Sequence, residues 1–134
     1  MATKDLYNNV SPAQSIRAQA VAAVLNGTGV NLSGYESATI LIDLGTFAGT
    51  TPTATIKIQE SSDDATYTDV AAADLLGGAL PATIDTTNDE TVYKRGYIGS
   101  KKFVRVIVSS IAGTGASLPM SAVVVRGHAR HMPV

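Results

Sequence analysis

The chain of 134 residues contains no cysteine, no tryptophan and only two phenylalanines. Without cysteine it has no disulfide scaffold, no thiolate nucleophile and no zinc site built on sulfur. With so few large aromatic side chains, a core must be filled by valine, isoleucine, leucine and alanine. The length suits one domain with one core. We therefore expect a single domain that is held together by close aliphatic packing.

An excess of charge and long apolar runs are also missing. Ten basic residues stand against eleven acidic ones, which leaves no net field to attract nucleic acid or anionic lipid. No stretch approaches the roughly 18 apolar residues of a membrane helix, and the opening "MATKDLYNNVSPAQS" does not have the features of a secretion signal. We expect no nucleic-acid partner and no membrane partner, and we expect partners to be recognised by shape.

The chain changes character near residue 15. Residues 1–14 are polar and show neither a strand period nor a helix period, so we interpret them as an N-terminal arm. From Ser15 onward, apolar and polar residues alternate up to Asn26-Gly27, which predicts a strand, a turn and a short return strand. The alanines in this stretch also favour helix, so a helix from Pro12 to Leu25 is the alternative.

The remaining sequence is typical of short antiparallel strands. The connection from Val70 to Glu90 is long enough to hold one short helical turn. The predicted strands are "SATILIDLG", "ATIKIQE", "TVYKRGYIG", "KKFVRVIVSSI" and, after a Gly113-Thr114-Gly115 turn, "MSAVVVRGHA". This pattern predicts an all-β fold, an antiparallel β-sandwich of two sheets that is jelly-roll-like and spans residues 15–134, with a C-terminal tail from about Gly127.

The run "KKFVRVIVSSI" has two different faces. Valines alternate along one face, which predicts that this face lies in the core. The other face is only half polar, so we expect it to contact another layer or another subunit. The valines are Val104, Val106 and Val108, and the half-polar face carries Phe103, Arg105 and Ile107.

The stretch "IQESSDDATYTDV" is the densest group of acids in the chain. As a calcium loop it lacks the glycine at the bend and the late glutamate. As a catalytic pair, Asp63 and Asp64 are adjacent on a polar loop and do not face each other across a cleft. Ser and Asp favour turns because their side chains accept hydrogen bonds from nearby backbone amides. We interpret the stretch as a turn between two strands.

Two further groups of residues are candidates for a metal site and for a nucleic-acid site. His128 and His131 are three residues apart, but Gly127 and Pro133 disfavour the helix that would align them on a metal. Basic residues lie among aromatic ones at positions 93–105, a combination that can hold single-stranded nucleic acid by stacking. Strand pairing accounts for the same residues, because tyrosines and long cationic side chains cover sheet faces.

Motifs for catalysis are missing from the sequence. It contains no G-x-S-x-G element and no G-x-x-x-x-G-K loop, and its histidines lie at the end of the chain. We therefore expect no enzyme, no catalytic residue, no cofactor and no metal site.

Several motifs follow one another over most of the chain, from about Ile16 to Val134. They are "IQESSDDATYTDV", a long connection, "KRGYIGSKKFVRVIV", a Gly-Thr-Gly turn and the ending "AVVVRGHARHMPV". In this combination the chain resembles small structural proteins that are encoded beside the capsid genes of tailed bacteriophages and prophages. The most telling pair is "GYIGSKKFVRV" followed by "GHARHMPV".

The resemblance implies a non-enzymatic virion protein that is made in the cytoplasm of a bacterial host. It implies a head decoration (cement) protein that binds the major capsid protein on the outside of the capsid, as a homo-oligomer, either a dimer or a trimer. A head–tail connector, a tail component and a glycan-binding β-sandwich adhesin are the alternatives. Exposed aromatic residues would carry glycan binding, and the candidates are Tyr35, Tyr67, Tyr93 and Tyr97.

A cement protein needs surfaces that clamp its neighbours, and a rigid domain with binding ends suits that task. The expected partner-binding residues lie in the arm, on the half-polar strand face and in the tail. They are Leu6, Tyr7, Val10, Phe103, Arg105, Ile107, His128 and His131.

Overall fold

The computed structural model describes residues 6–129, which form antiparallel strands and two short 3₁₀ turns. The 3₁₀ turns are Tyr7–Asn9 and Ala72–Asp74. The strands are β1 (Val10–Val21), β2 (Leu25–Asn26), β3 (Val30–Asn31), β4 (Tyr35–Leu44), β5 (Ala48–Ser61), β6 (Thr68–Asp69), β7 (Leu75–Leu76), β8 (Val92–Tyr97) and β9 (Phe103–Ala129). The predicted all-β, antiparallel class is confirmed.

Strand β9 organises the whole sheet. One of its edges pairs with β1, β2 and β3. Its other edge pairs with β5 up to Ser117 and with β4 from Met120, so the sheet forks between these residues. We call β6, β5 and the first half of β9 the β5 wing. We call β7, β8, β4, the second half of β9 and β1 the β4 wing. The two wings curl into a half-barrel.

The core fills the inside of the half-barrel. On each long strand every second residue points inward, as Ile40 and Ile42 of β4 do, and each inward aliphatic side chain contributes about 1.5–3 kcal/mol through burial. The predicted inward face of the "KKFVRVIVSSI" run is confirmed. The most deeply buried side chains include Ile16, Ile40, Ile42, Ile84, Val104, Val106, Val108, Leu118 and Val124.

The structure does not confirm a sandwich of two separate sheets in jelly-roll order. Strand β9 runs through both wings without a break, so the strands form one hydrogen-bonded network of nine. The predicted turn at Gly113-Thr114-Gly115 is therefore wrong. Gly113 and Gly115 have positive φ angles, 115° and 67°, and they absorb a bulge inside one bent strand.

The beginning of the chain contains a strand where the sequence predicted one, and the helix alternative is wrong. The predicted return strand does not pair with it, because β2 and β3 pair with β9 instead. Gly27 explains this arrangement. Its N–H donates to Val106 O at 2.9 Å, and a Cβ at this position would lie 2.2 Å from the same oxygen. The glycine therefore permits a close approach to β9 rather than a hairpin turn.

The boundary of the predicted N-terminal arm is also corrected. Strand β1 begins at Val10, so residues 10–14 of that arm belong to the sheet. The sequence could not show this, because pairing with β9 overrides weak local preference. At the other end β9 continues through Ala129, which takes the first part of the predicted tail into the sheet.

The long connection behaves as predicted, since it contains one short helical turn, Ala72–Asp74. It crosses from one wing to the other. Leu75 and Leu76 pair with β8, and Ile84 exchanges two backbone hydrogen bonds with Ala54 of β5. The connection thus holds the open sides of the two wings at a fixed separation.

Candidate interaction surfaces

A groove of about 500 Å³ lies where the two ends of the described chain meet. Three expected contact residues line it, namely Leu6, Val10 and His128. Beside it Leu6 is 68% exposed and Tyr7 is 85% exposed, which is unusual for such large apolar side chains. The full lining is Leu6, Asn9, Val10, Ser37, Thr39, Val125, Gly127 and His128. We call this surface the end groove.

Pairing between β1 and β9 creates the end groove. Val10 is the cross-strand partner of Gly127, so the first and last strands are joined there. His128 follows with a positive φ angle of 50°, and its Nδ1 lies 2.7 Å from Ser37 Oγ. This contact fixes the imidazole at the rim of the groove. The other histidine of the expected pair, His131, lies outside the described residues.

The outer face of the β5 wing is a connected polar network. The guanidinium of Arg105 stacks on the ring of Tyr67, 3.9 Å from its centroid, and donates two hydrogen bonds to Gln59 Oε1. Gln59 Nε2 donates to Asp69 Oδ1, and Lys57 forms an ion pair with Asp69 at 3.1 Å. Each of these polar groups thus already has a partner inside the protein.

Hydrogen bonds and burial shift two pKa values in this network. Hydrogen bonds from Gln59 and then from Lys57 lower the pKa of Asp69. Burial raises the pKa of Tyr67, and its hydrogen bond to Asp64 raises that pKa further. Both shifts favour the protonation states that the network uses at neutral pH.

The expected contact face of β9 lies within this network and differs from the half-apolar surface we expected. Arg105 is held by Tyr67 and Gln59. Ile107 is only 7% exposed. Phe103 is half-buried, with the Lys102 ammonium 5.6 Å from its ring centroid. These three side chains are therefore engaged within the protein.

The acidic stretch forms the turn that the sequence predicted. Ser61 Oγ accepts hydrogen bonds from the N–H groups of Asp63 and Asp64. Asp63 Oδ1 accepts from those of Ala65 and Thr66, and these bonds lower the pKa of Asp63. The side chains thus satisfy backbone amides. Between Leu6 and Ala129, no group of three or more His, Cys, Asp or Glu side chains is placed to hold a metal ion.

The interleaved basic and aromatic residues do not form one patch. Arg105 points to the outer face of the β5 wing, whereas Arg95 donates to Gly78 O and Ala79 O in the long connection. Lys94 lies on the outer face of the β4 wing, opposite Leu41. No helix in the described part of the chain is long and apolar enough to cross a membrane.

The four tyrosines considered for glycan binding are also engaged. Arg105 covers one face of Tyr67, and Arg126 covers one face of Tyr35, 4.7 Å from its centroid. Tyr93 donates to a backbone carbonyl, and Tyr97 is 6% exposed with its hydroxyl bonded to Glu60. Burial and this bond raise the pKa of Tyr97. Tyr97 is therefore buried, and Tyr35 and Tyr67 already stack on an arginine at one ring face, which weakens the adhesin alternative.

Sequence reasoning missed the outer face of the β4 wing. Cross-strand partners there form rows of side chains, and one row runs over all five strands with no charge. Leu76 is 59% exposed and Val92 is 58% exposed at one side of the face. The row without charge is Leu76, Gly96, Thr39, Val125 and Pro12, and the next row is Lys94, Leu41, Val123 and Gln14. We call this surface the apolar face.

A signal for the apolar face exists in the sequence. Leu41 occupies an outward position in "SATILIDLG", where a solvent-exposed strand would carry a polar residue. The run Ala122–Val125 is apolar at every position, which is typical of a strand that is covered on both faces. Between Leu6 and Ala129, no strand or turn packs over the outer side of this face.

Comparisons with known proteins identify a structural neighbour but no family. No protein-family model matches this chain, and no curated protein matches it either. Among solved structures, the crystal structure of the SPBc2 prophage-derived protein YomS is similar, with 14% sequence identity and a TM-score of 0.49. The match covers 87% of this chain and 94% of that one.

Proposed function

We propose that this protein is a non-enzymatic structural component of a phage virion that binds the outside of the capsid and stabilises it. The observation that carries the proposal is the end groove with its exposed Leu6 and Tyr7. These side chains lie at the short 3₁₀ turn that leads into strand β1, and apolar groups that protrude beside a groove are typical of protein contact sites. The sequence resemblance to virion proteins supplies the identity of the partner, the major capsid protein.

The half-barrel suits such a role because its hydrogen-bonded sheet holds the binding surfaces in fixed positions. The core strands and the connection from Val70 to Glu90 hold both wings. Many copies on one shell multiply a weak contact through effective concentration. A modest groove on each copy is therefore enough to stabilise a capsid.

Co-sedimentation tests the proposal. The purified chain is mixed with empty, expanded capsids assembled from the major capsid protein of the same phage or prophage. We expect the chain to pellet with capsids in a saturable manner and Tyr7→Ala to weaken binding at least about tenfold. The matched control is Val24→Ala, because Val24 is 62% exposed but lies in the connection between β1 and β2, away from the groove.

Two results would count against the capsid role. Failure of the wild-type chain to pellet with capsids would contradict it directly. Binding to assembled tails but not to capsids would favour the alternative of a head–tail connector or tail component.

A further inference from the structure

We propose that the apolar face of the β4 wing is a self-association surface on which a second copy of this chain packs about a two-fold axis. The inference adds a partner to the proposed function. The apolar face adjoins the end groove, because Thr39 and Val125 belong to both. Dimerisation is measured on the free chain without capsids, and it can therefore fail or hold separately from capsid binding.

The first support is the composition of the face. Its outward positions carry Leu41, Val123 and Val125 in the middle, and Leu76 and Val92 at one side. Each of the five neighbouring strands carries at least one outward apolar residue, and although Gly96, Thr39 and Gln14 lie between them, this density exceeds the scattered exposure of an ordinary soluble surface. The opposite outer face, on the β5 wing, is polar and internally bonded. An outer face that a partner would stabilise is therefore found on the β4 wing and not on the β5 wing.

Charge supports a second copy rather than another partner. Two charged residues of opposite sign, Asp43 and Lys94, flank Leu41 on the face. Among the described residues neither takes part in an ion pair. In a two-fold contact, a residue on one copy lies opposite a different residue on the other copy, and each such pair occurs twice. Asp43 of each copy can therefore pair with Lys94 of the other. A face with opposite charges at its centre is thus complementary to itself.

The edges of the sheet make face packing more favourable than strand addition. Along β1, Arg126 donates to Ser11 O and Thr28 N–H donates to Ser15 O, and Arg126 also donates to Asn31 O of β3. Two register shifts also interrupt β1. Capped carbonyls and bulges are the devices that prevent edge-to-edge pairing. A second copy therefore meets the face, not this edge.

The size of the face sets the strength of association. Strands β8, β4, β9 and β1, spaced by about 4.8 Å with roughly six residues along each, give about 15 Å by 20 Å, to which the two residues of β7 add little, so the face measures about 300 Å² on each copy. A standard interface buries about 800 Å² on each partner. We therefore expect a reversible dimer that forms as concentration rises, with a dissociation constant in about the micromolar range or weaker.

Sedimentation velocity of the full chain, from about 1 μM to 1 mM, tests this inference. The wild type should shift from monomer to dimer. Asp43→Lys and Lys94→Asp should each raise the dissociation constant at least about tenfold, because each places like charges opposite one another. The double variant Asp43→Lys/Lys94→Asp should restore dimerisation. The matched control on the other face, Lys57→Asp, should leave dimerisation unchanged.

Each contrary result overturns the inference. A wild-type chain that stays monomeric over this range contradicts it, whether or not the chain binds capsids. Dimers that both single charge variants leave intact place the interface elsewhere. A double variant that stays dissociated rules out the pairing of Asp43 with Lys94. All three substitutions are on the surface, and circular dichroism confirms that each variant is folded.

Discussion

The two outer faces of the half-barrel differ in how their side chains are satisfied. On the β5 wing, Tyr67, Arg105, Gln59, Asp69 and Lys57 bind one another, so the face is complete without a partner. On the β4 wing, aliphatic side chains lie beside polar ones on the outer face, and Asp43 and Lys94 form no ion pair among the described residues. The same strand β9 serves both faces. Function is therefore expected from the face whose side chains lack partners.

The largest expected effect is the difference in stability loss between an inward-facing and an outward-facing residue of strand β4. Ile40 is fully buried, so Ile40→Ala removes core contacts and leaves a cavity. We expect it to lower the free energy of unfolding by about 2–5 kcal/mol. Leu41 is its outward-facing neighbour, and Leu41→Ala should lower the free energy of unfolding by less than about 1 kcal/mol. The same substitution should weaken dimerisation. Urea denaturation at a low protein concentration measures both changes, and equal destabilisation by the two would contradict the assigned faces.

A second contrast compares cations on the two outer faces. Arg105→Ala removes the stacking on Tyr67 and two hydrogen bonds to Gln59, and it should cost about 1–2 kcal/mol of stability without affecting dimerisation. Lys94→Ala should change stability by less than about 0.5 kcal/mol and weaken dimerisation. The pair is measured by urea denaturation and sedimentation. The reverse pattern, with Arg105 controlling association, would restore the Phe103 face as the contact surface.

Alkaline pH provides a smaller effect, which involves one tyrosine beside the β5 wing and one on the β4 wing. The raised pKa values of Tyr67 and Tyr97 lie above the ordinary value of 10.0, because burial and a neighbouring carboxylate disfavour the phenolate. Their contribution to stability is complete below about pH 10 and is lost as pH rises through the folded-state values. Absorbance at the tyrosinate band should show a late step that Tyr67→Phe and Tyr97→Phe each reduce. A titration curve that neither variant changes would contradict these assignments.

The smallest expected effect is the loss of stability from Asp69 at acid pH. Because its pKa is lowered from the ordinary 3.8, Asp69 contributes stability above about pH 4 that is lost as pH falls through the folded-state value. Asp69→Asn should therefore cost up to about 0.5 kcal/mol at neutral pH and nothing at pH 2. The control is Asp43→Asn on the apolar face, which should show no loss at low protein concentration. A pH-independent difference for Asp69→Asn would argue against the ionic contact with Lys57.

Local pattern predicted the strands well and their partners poorly. Alternation in "SATILIDLG" and "ATIKIQE" identified β4 and β5, since a half-buried strand imposes a period of two. The Gly113-Thr114-Gly115 segment was wrongly predicted as a turn, because glycines occur both in turns and in bulges. Only the pairing with β5 distinguishes the two. Residues 10–14 were missed for a similar reason, as their strand exists only through its pairing with β9.

The candidate surfaces show the same limit. The end groove could be anticipated, because Leu6, Val10 and His128 stand out as apolar or aromatic residues near the chain ends. The expected Phe103 face could not be evaluated from sequence, because Tyr67 and Gln59, which engage Arg105, lie 38 and 46 positions away. The apolar face depends on five strands that only the fold brings together.

Lysine labelling tests the central claim most directly, because each outer face carries one accessible lysine. Lys94 lies on the apolar face, and the side chain of Lys57, on the β5 wing, is 43% exposed. The chain is acetylated at low and at high concentration, and the modified positions are quantified by mass spectrometry. The account predicts that association protects Lys94 several-fold and leaves Lys57 unchanged. Protection of Lys57 with Lys94 still reactive would contradict it.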